Sequence, residues 1–134
     1  KKVMNTKLNR ILAEISAGEL VDKITILEIK KEKISNNQKL LEINKELNAL
    51  LDTLKKSNIN MDSIKPLWAE LKNINLSLWN IEDGKREAEK KKEFGENFIE
   101  LARKVYKIND QRADVKSKIN KFLGSNIREV KSYY

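Results

Sequence analysis

Acidic side chains at helical spacing are the first candidates for chemistry in this 134-residue sequence. Glu19 and Asp22 stand three residues apart, so they would share one face of a helix. Carboxylate pairs on neighbouring helices can hold Mg²⁺, because this hard cation prefers oxygen ligands. No second acidic pair lies on a compatible helix, and Glu19 also fits a role in capping its own helix. The pair therefore predicts at most half of a metal site.

Arg112 is the second candidate, because it occupies an inward position in an otherwise apolar heptad pattern. A guanidinium at such a position must be paired, and Asp22, Glu28 and Glu82 are the candidate acids on other helices. We expect the pair to fix the register of the packed helices, as polar groups in helix seams do. Binding of a metal or a small anion is the alternative. The candidate polar cluster comprises Glu19, Asp22, Lys23, Glu28, Glu82, Asn109, Asp110 and Arg112.

The composition removes most familiar catalytic groups. The sequence contains no histidine and no cysteine. Disulfides, thiolate nucleophiles, most zinc sites and catalytic triads with histidine are therefore excluded. An enzyme with this sequence would depend on carboxylates, lysines, tyrosines or backbone groups. We predict no cofactor, no resident metal and no catalytic residue.

The formal net charge of +8 makes nucleic acid a possible partner. Six basic residues toward the C-terminal end could form one face of a helix. No aromatic residues alternate with them as they would in a platform for base stacking. A solvated basic face is the favoured interpretation, and nucleic-acid binding is the alternative. These residues are Arg103, Lys104, Lys107, Lys116, Lys118 and Lys121.

Long helices must position these side chains. Only four glycines and one proline interrupt the chain, and charged residues make up 36% of it, which is typical of helical bundles. Apolar residues at heptad spacing predict helices at roughly 17–34, 38–57, 63–92 and 96–123. We expect one domain, residues 1–134, that is all-α. Its architecture would be an antiparallel bundle of three to four long helices with coiled-coil-like packing. Short tails would flank the bundle, and residues 11–15 and 127–134 in them would be extended and paired.

Polar and special residues predict where the helices begin and end. Ser16 and Glu19 form a capping box for the first helix. The third helix should begin at a cap on Asp62 or Ser63, because a proline is tolerated in a first turn but clashes further inside. That interpretation places Pro66 in the first turn. The other predicted boundaries are a break at residues 35–37, a turn at 93–95 and a left-handed cap at Gly124.

The first helix is apolar on two sides. Leu20, Ile24 and Leu27 fall on one stripe with Ile34, while Ile26 and Ile29 fall nearly opposite. Such a helix must be surrounded by other elements. We favour a chain that folds back near residue 36, and coverage by a second copy of the protein is the alternative.

No apolar stretch is long enough to span a membrane, and no leader-like segment precedes the first helix. The protein is therefore expected to be soluble and cytoplasmic, without a membrane partner.

Blocks at 16–30, 78–83, 98–106 and 109–125 carry a resemblance to a family. They are SAGELVDKITILEIK, LWNIED, FIELARKVY, and a stretch that begins NDQRA and ends LGS. The sequence resembles a family of small uncharacterised bacterial proteins known only as a domain of unknown function. Residues 35–37 depart from it, because an Asp-Pro step is expected there. The resemblance implies an occurrence near glycosyltransferases of surface-polysaccharide synthesis or in phages, and no activity.

The sequence thus favours a non-catalytic protein-interaction or scaffold module, and the resemblance implies that it is accessory to glycan biosynthesis. Its partner would be another protein or a second copy. A carboxylate site that binds a metal or an anion is the first alternative, and nucleic-acid binding through the fourth helix is the second.

Overall fold

A computed structural model of the chain describes residues 7–131. Its helices are α1 (Ala17–Lys33), α2 (Asn37–Lys56), α3 (Met61–Lys91) and α4 (Glu96–Leu123). The described residues contain no strand, so the predicted all-α bundle is confirmed. No helix among them combines the length and apolar character needed to cross a membrane.

Helix α1 lies at the centre of the bundle, between α2 on one side and the α3–α4 pair on the other. Leu20, Ile24 and Leu27 pack in one apolar cluster with residues of α2. Val21 belongs to a second cluster that contains residues of α3 and α4, and Ile29 is also buried. The predicted stripe of Leu20, Ile24 and Leu27 is therefore covered within one chain, and of the two residues predicted on the opposite side Ile29 is buried whereas Ile26 is only partly buried.

The chain folds back between α1 and α2, as favoured from the sequence. Helix α1 ends at Lys33, and Ile34 adopts an extended conformation. The Asn36 side chain then accepts a hydrogen bond from the backbone N–H of Lys39 at 3.0 Å, which caps α2. A polar cap at this position stops the first helix and starts the second, so the two helices can pack side by side.

Helices α3 and α4 form the longest hairpin. Lys92 ends α3 in the left-handed conformation, and Gly95 precedes α4, so the predicted turn at residues 93–95 is confirmed. A Cβ placed on Gly84 would lie 3.1 Å from Leu101 Cδ1, which shows how closely the two helices approach there. Gly124 ends α4 with φ of 64°, as predicted for a left-handed cap.

The predicted start of α3 is wrong. The helix begins at Met61, capped by Asn60 rather than by Asp62 or Ser63, and Pro66 lies inside the helix rather than in its first turn. The Asn60 side chain accepts from the backbone N–H of Asp62 at 3.1 Å. Ile64 is completely buried in the cluster with α1 and α4. Tertiary packing of this early turn outweighs the hydrogen bond that the proline removes.

The tails are irregular within the described residues. Residues 7–16 and 125–131 include no strand, so the described parts of the two tails do not pair as a sheet. They meet through side chains instead, because Asn126 Nδ2 donates to Glu14 Oε2 at 2.7 Å. The part of the C-terminal prediction that concerns residues 132–134 lies outside the described residues.

Candidate functional site

Asp22 lies at the centre of the polar cluster and is completely buried. Its Oδ1 atom accepts hydrogen bonds from Asn75 Nδ2 and Arg112 Nε, each at 2.9 Å. Its Oδ2 atom accepts from Arg112 Nη2. The carboxylate therefore receives a two-pronged guanidinium from α4 and an amide from α3, the arrangement that gives strong, directional pairing. Of the three acids predicted as possible partners of Arg112, the one that pairs with it is Asp22.

A buried hydroxyl completes this part of the cluster. Asn75 Nδ2 also donates to Thr25 Oγ1 at 3.0 Å, and Thr25 Oγ1 donates to the backbone carbonyl of Asp22 at 2.8 Å. Within residues 7–131, no buried side-chain nitrogen or oxygen lacks a hydrogen-bond partner. Each fully buried polar side-chain atom described there therefore has at least one partner within the protein.

Lys116 is the second cation of the cluster and joins three parts of the chain. Its Nζ atom lies 2.7 Å from Glu19 Oε1 on α1 and 3.0 Å from Glu129 Oε1 in the C-terminal tail. It also lies 4.0 Å from Asp22 Oδ2. Only 12% of the Lys116 side chain is exposed, so these acids replace its water. The predicted basic face therefore loses Lys116, which points into the protein.

The two acids of α1 that belong to this cluster, Glu19 and Asp22, are held in their ionised forms. Burial raises the pKa of Asp22, but hydrogen bonds from Arg112 and Asn75 outweigh it and leave that pKa below its ordinary value of 3.8. For Glu19, burial is likewise outweighed, chiefly by Lys116, and its pKa falls below 4.5. Neither carboxyl group carries a proton near neutral pH, so neither can act there as a general acid.

The two cations are held charged by the same contacts. The hydrogen bond to Asp22 is the main cause that raises the pKa of Arg112, against the effect of burial. Burial lowers the pKa of Lys116, but the bonds to Glu19 and Glu129 outweigh it and raise that pKa. A lysine with a raised pKa is a poor nucleophile or base. The cluster is thus an array of fixed, paired charges.

The N-terminus of α1 is occupied by the protein itself. Ala17 N donates to Ser125 Oγ at 3.1 Å, and Gly18 N donates to Asn120 Oδ1 at 2.6 Å. Glu19 N donates to Ser16 Oγ at 3.0 Å, while Leu20 N donates to the Ser16 carbonyl at 3.1 Å. The last of these is the first regular i→i−4 bond of the helix, and the other three pair N–H groups that a helix start leaves without an intrahelical partner. An anion would have to displace these protein acceptors from Ala17, Gly18 and Glu19.

Gly18 allows this close docking of α1 on α4. A Cβ on this residue would lie 2.5 Å from the backbone carbonyl oxygen of Lys116, which no side chain can tolerate without a backbone shift. Only half of the predicted capping box is formed in the expected way. Ser16 caps Glu19 N, but the Glu19 side chain pairs with Lys116 instead.

The structure brings together only part of the predicted cluster. Glu19, Asp22 and Arg112 meet, with Asn109 Oδ1 at 3.4 Å from Arg112 Nη1. Lys23 Nζ lies 3.6 Å from Glu19 at the surface. The other three acids have separate partners. Glu28 accepts from Trp68 Nε1 at 3.3 Å, Glu82 pairs with Lys85 at 3.1 Å, and Asp110 pairs with Lys131 at 2.7 Å.

Several participants were not identified as cluster members from the sequence. Thr25 and Asn120 lie among apolar positions, and because they are uncharged the sequence did not indicate that they join a polar cluster. Lys116 was assigned to the surface, since one basic residue among many gives no sign of being buried. Glu129 comes from an irregular tail, for which periodicity predicts no position. The one usable signal was Gly18, whose missing Cβ beside a helix cap indicates a close backbone approach.

The geometry of the described residues does not support a metal-binding site. Within residues 7–131, no group of three or more acidic side chains is arranged to hold a metal ion. Glu19 and Asp22 share a helix face as predicted, but their oxygens are directed to Lys116 and Arg112. A divalent cation would have to displace those cations from both acids.

Two open cavities border the cluster. One of about 570 Å³ lies between α4 and the C-terminal tail, and its lining includes Asn109, Lys116 and Glu129. The other, of about 260 Å³, lies between α1, α3 and Arg112, and we call it the α1–α3 groove. Its apolar lining residues are Ile26, Ile29, Leu78 and Trp79, and its charged residues are Glu82, Asp83, Arg86 and Arg112.

Comparisons with known proteins give one match. No curated protein and no solved structure matches the chain. A model described as a family of unknown function, DUF6165, matches residues 11–134. The match includes α1 to α4 and therefore the whole polar cluster. The chain belongs to this family of unknown function.

Proposed function

We propose that the protein is a non-catalytic interaction module that binds a helical segment of another polypeptide in the α1–α3 groove. The observation that carries the proposal is the groove itself, in which isoleucine, leucine and tryptophan side chains border charged residues. Amphipathic helices bind in grooves of this kind by burying an apolar stripe and pairing charges at the edges. Arg86 and Asp83 have no ion-pair partner among the described residues and are available for such pairing.

The paired charges of the polar cluster support a structural role beside this surface. Asp22, Glu19, Arg112 and Lys116 neutralise one another. Catalytic groups instead have pKa values close to the working pH or polar atoms aimed at a substrate. On this proposal the cluster holds α1 in place, so that one wall of the groove stays fixed relative to the other.

Site-specific photo-crosslinking tests the proposal. Trp79 is replaced by a photoreactive benzoylphenylalanine, and the variant is irradiated in the cells from which the protein comes. A matched variant carries the same group at Lys45, which is exposed on α2. We expect a discrete crosslinked polypeptide from position 79 and none from position 45. Equal crosslinking at the two positions, or none at position 79, would contradict a binding role for the groove.

The resemblance of the sequence blocks to proteins found near glycosyltransferases supports a narrower proposal. In this version the partner is an enzyme of glycan synthesis, and the protein acts as its accessory scaffold. Mass spectrometry of the polypeptide crosslinked at position 79 tests this version directly. A partner without any relation to glycan synthesis would remove it and leave the interaction role intact.

A ligand site at the polar cluster is the rival proposal, and the cavity of about 570 Å³ beside Lys116 is the observation in its favour. Calorimetric titration with Mg²⁺, Mn²⁺ and nucleotide sugars separates the two. We expect no heat of binding, because the cations and acids of the cluster already pair with each other. Saturable heat that disappears in Glu19→Gln would favour the rival.

Nucleic-acid binding through α4 would use the five exposed basic residues that remain on that helix. Retention on DNA or RNA that falls steeply with salt would support it. Replacement of Lys104 and Lys107 by glutamine should then weaken retention, and we expect no such retention from the wild type.

A further inference from the structure

A short segment before α1 carries an apolar stripe that its own chain leaves largely uncovered. Leu8, Ile11 and Leu12 are 78%, 83% and 82% exposed, and Ile15 is 38% exposed. Their spacing of three, one and three residues places all four on one face of a helix. Residues 8–15, which we call the N-terminal segment, nevertheless lie in no helix or strand. The segment has the pattern of an amphipathic helix without the surface that would stabilise one.

The length of the segment explains why it is irregular in a single chain. Isolated helices of fewer than about 12 residues are marginal in water, because nucleation costs more than a few hydrogen bonds return. Burial of an apolar face against another surface supplies the missing free energy. A segment of this kind therefore folds when it binds.

The α1–α3 groove complements the apolar stripe of the segment in polarity. Its floor consists of branched aliphatic side chains and the half-buried Trp79. The charged rim of the groove is mixed, with Glu82 and Asp83 beside Arg86, and the segment also carries both signs outside its apolar stripe, at Arg10 and Glu14. Charges of opposite sign can therefore pair at the rim while the apolar stripe faces the floor.

A chain cannot place a helical N-terminal segment in its own groove. Ile15 immediately precedes Ser16, the cap of α1, so no linker separates the two elements. The groove lies beside Ile26 and Ile29, which are about 15 Å or more along α1 at 1.5 Å per residue. A helix of residues 8–15 would end at the wrong end of α1. The occupant must come from another molecule.

We propose that the N-terminal segment of a second copy folds as a helix in the α1–α3 groove, and that two copies exchange these segments reciprocally. The inference rests on the proposed function, because it names the occupant of the same groove. A reciprocal exchange closes a two-fold symmetric dimer and leaves neither segment uncovered.

Light scattering over a concentration series tests the exchange. Wild type should form dimers, and Ile11→Asp/Leu12→Asp should raise the dimer dissociation constant by about 100-fold or more, because two buried side chains become charged. Both residues are exposed in the single chain, so the variant should keep its fold, which circular dichroism checks. The matched control is Leu41→Asp, at an exposed leucine of α2 (64%), which should leave dimerisation unchanged.

Charge reversal and mixing test the reciprocal arrangement. Glu82→Lys/Asp83→Lys should weaken the dimer by about tenfold or more, and adding Arg10→Glu to the same chain should restore part of the loss. A mixture of the Ile11→Asp/Leu12→Asp variant with the Glu82→Lys/Asp83→Lys variant should form heterodimers. In each heterodimer, the unchanged N-terminal segment of the Glu82→Lys/Asp83→Lys chain can bind in the unchanged groove of the Ile11→Asp/Leu12→Asp chain.

A synthetic peptide of residues 7–15 separates this inference from the proposed function. In a Trp68→Phe background, the peptide should change the fluorescence of Trp79 and compete with dimerisation. A monomeric wild type with no fluorescence response would overturn the exchange. If position 79 still crosslinks a different polypeptide in cells, the groove remains a binding surface and only the second copy is ruled out as its occupant.

Discussion

The two faces of α1 are held by different kinds of interaction. The face toward α2 is apolar, with Leu20, Ile24 and Leu27 in contact with a cluster that includes Leu47. The face toward α3 and α4 combines the buried Val21 with the buried, charged Asp22. Apolar packing is non-directional and tolerates rearrangement of similar side chains, whereas a bidentate ion pair is satisfied in one geometry only.

This difference assigns separate tasks to the two faces. The α2 face contributes burial, and a shift along the helix would exchange one aliphatic contact for another. A similar shift on the other face would separate Asp22 from Arg112 and Gly18 from Asn120. We infer that the polar face sets the register of α1 on the α3–α4 hairpin. The apolar face then packs against α2 in the position that this register gives it.

The largest expected effect comes from removing the central charge. Asp22→Asn keeps the shape of the side chain but leaves Arg112 without its counter-ion, and we expect a loss of about 3 kcal/mol in the free energy of unfolding. Urea denaturation measures it. The control is Asp110→Asn, which breaks the more exposed pair with Lys131 and should cost less than about 1 kcal/mol. Equal losses would mean that burial does not distinguish the pairs.

The next effect tests the close approach of α1 to α4. Gly18→Ala places a Cβ against the Lys116 carbonyl oxygen, and we expect a loss of about 2 kcal/mol because backbone must move. Gly84→Ala is the matched control, since its Cβ meets only a flexible leucine side chain and alanine favours the helix. That variant should be neutral or slightly more stable. The opposite order of the two glycines would contradict the docking at residue 18.

The pH dependence of stability should separate the two faces as well. The folded pKa of Asp22 lies below its ordinary value of 3.8, so the ionised pair contributes stability above that value. This contribution is lost as the pH falls through the folded pKa. Wild type should therefore lose stability more steeply than Asp22→Asn below about pH 4. Denaturation series at several pH values check this, and parallel curves would exclude the contribution of Asp22.

The smallest expected effect is on the apolar face. Leu47→Met conserves volume within the cluster toward α2, and we expect a loss of less than about 1.5 kcal/mol in the free energy of unfolding. Thermal denaturation is sufficient to measure it. A loss as large as that of Asp22→Asn would show that the α2 face also demands one packing geometry.

The sequence predicted the apolar face better than the polar one. The spacing of Leu20, Ile24 and Leu27 indicated a buried stripe, and the polar residues at 35–37 indicated the fold-back that covers it. Periodicity is local, so it reports these features well. It placed the start of α3 incorrectly, because the burial of Ile64 against distant helices decides that boundary.

The polar cluster was only partly predictable for the same reason. Arg112 interrupts an apolar seam, so its need for an acid could be read from the sequence, and Asp22 was among the three candidates. Lys116 and Glu129 gave no such signal, because their meeting depends on the path of the C-terminal tail. Contacts between elements distant in the chain follow from packing, which spacing alone does not encode.

A double-mutant cycle on Asp22 and Arg112 tests the central claim most directly. The free energies of unfolding of wild type, Asp22→Asn, Arg112→Met and the double variant give the coupling between the two side chains. If the pair sets the register of α1, the coupling is about 2 kcal/mol, and the double variant is more stable than Asp22→Asn alone. A coupling below about 0.5 kcal/mol, with additive losses, would contradict it.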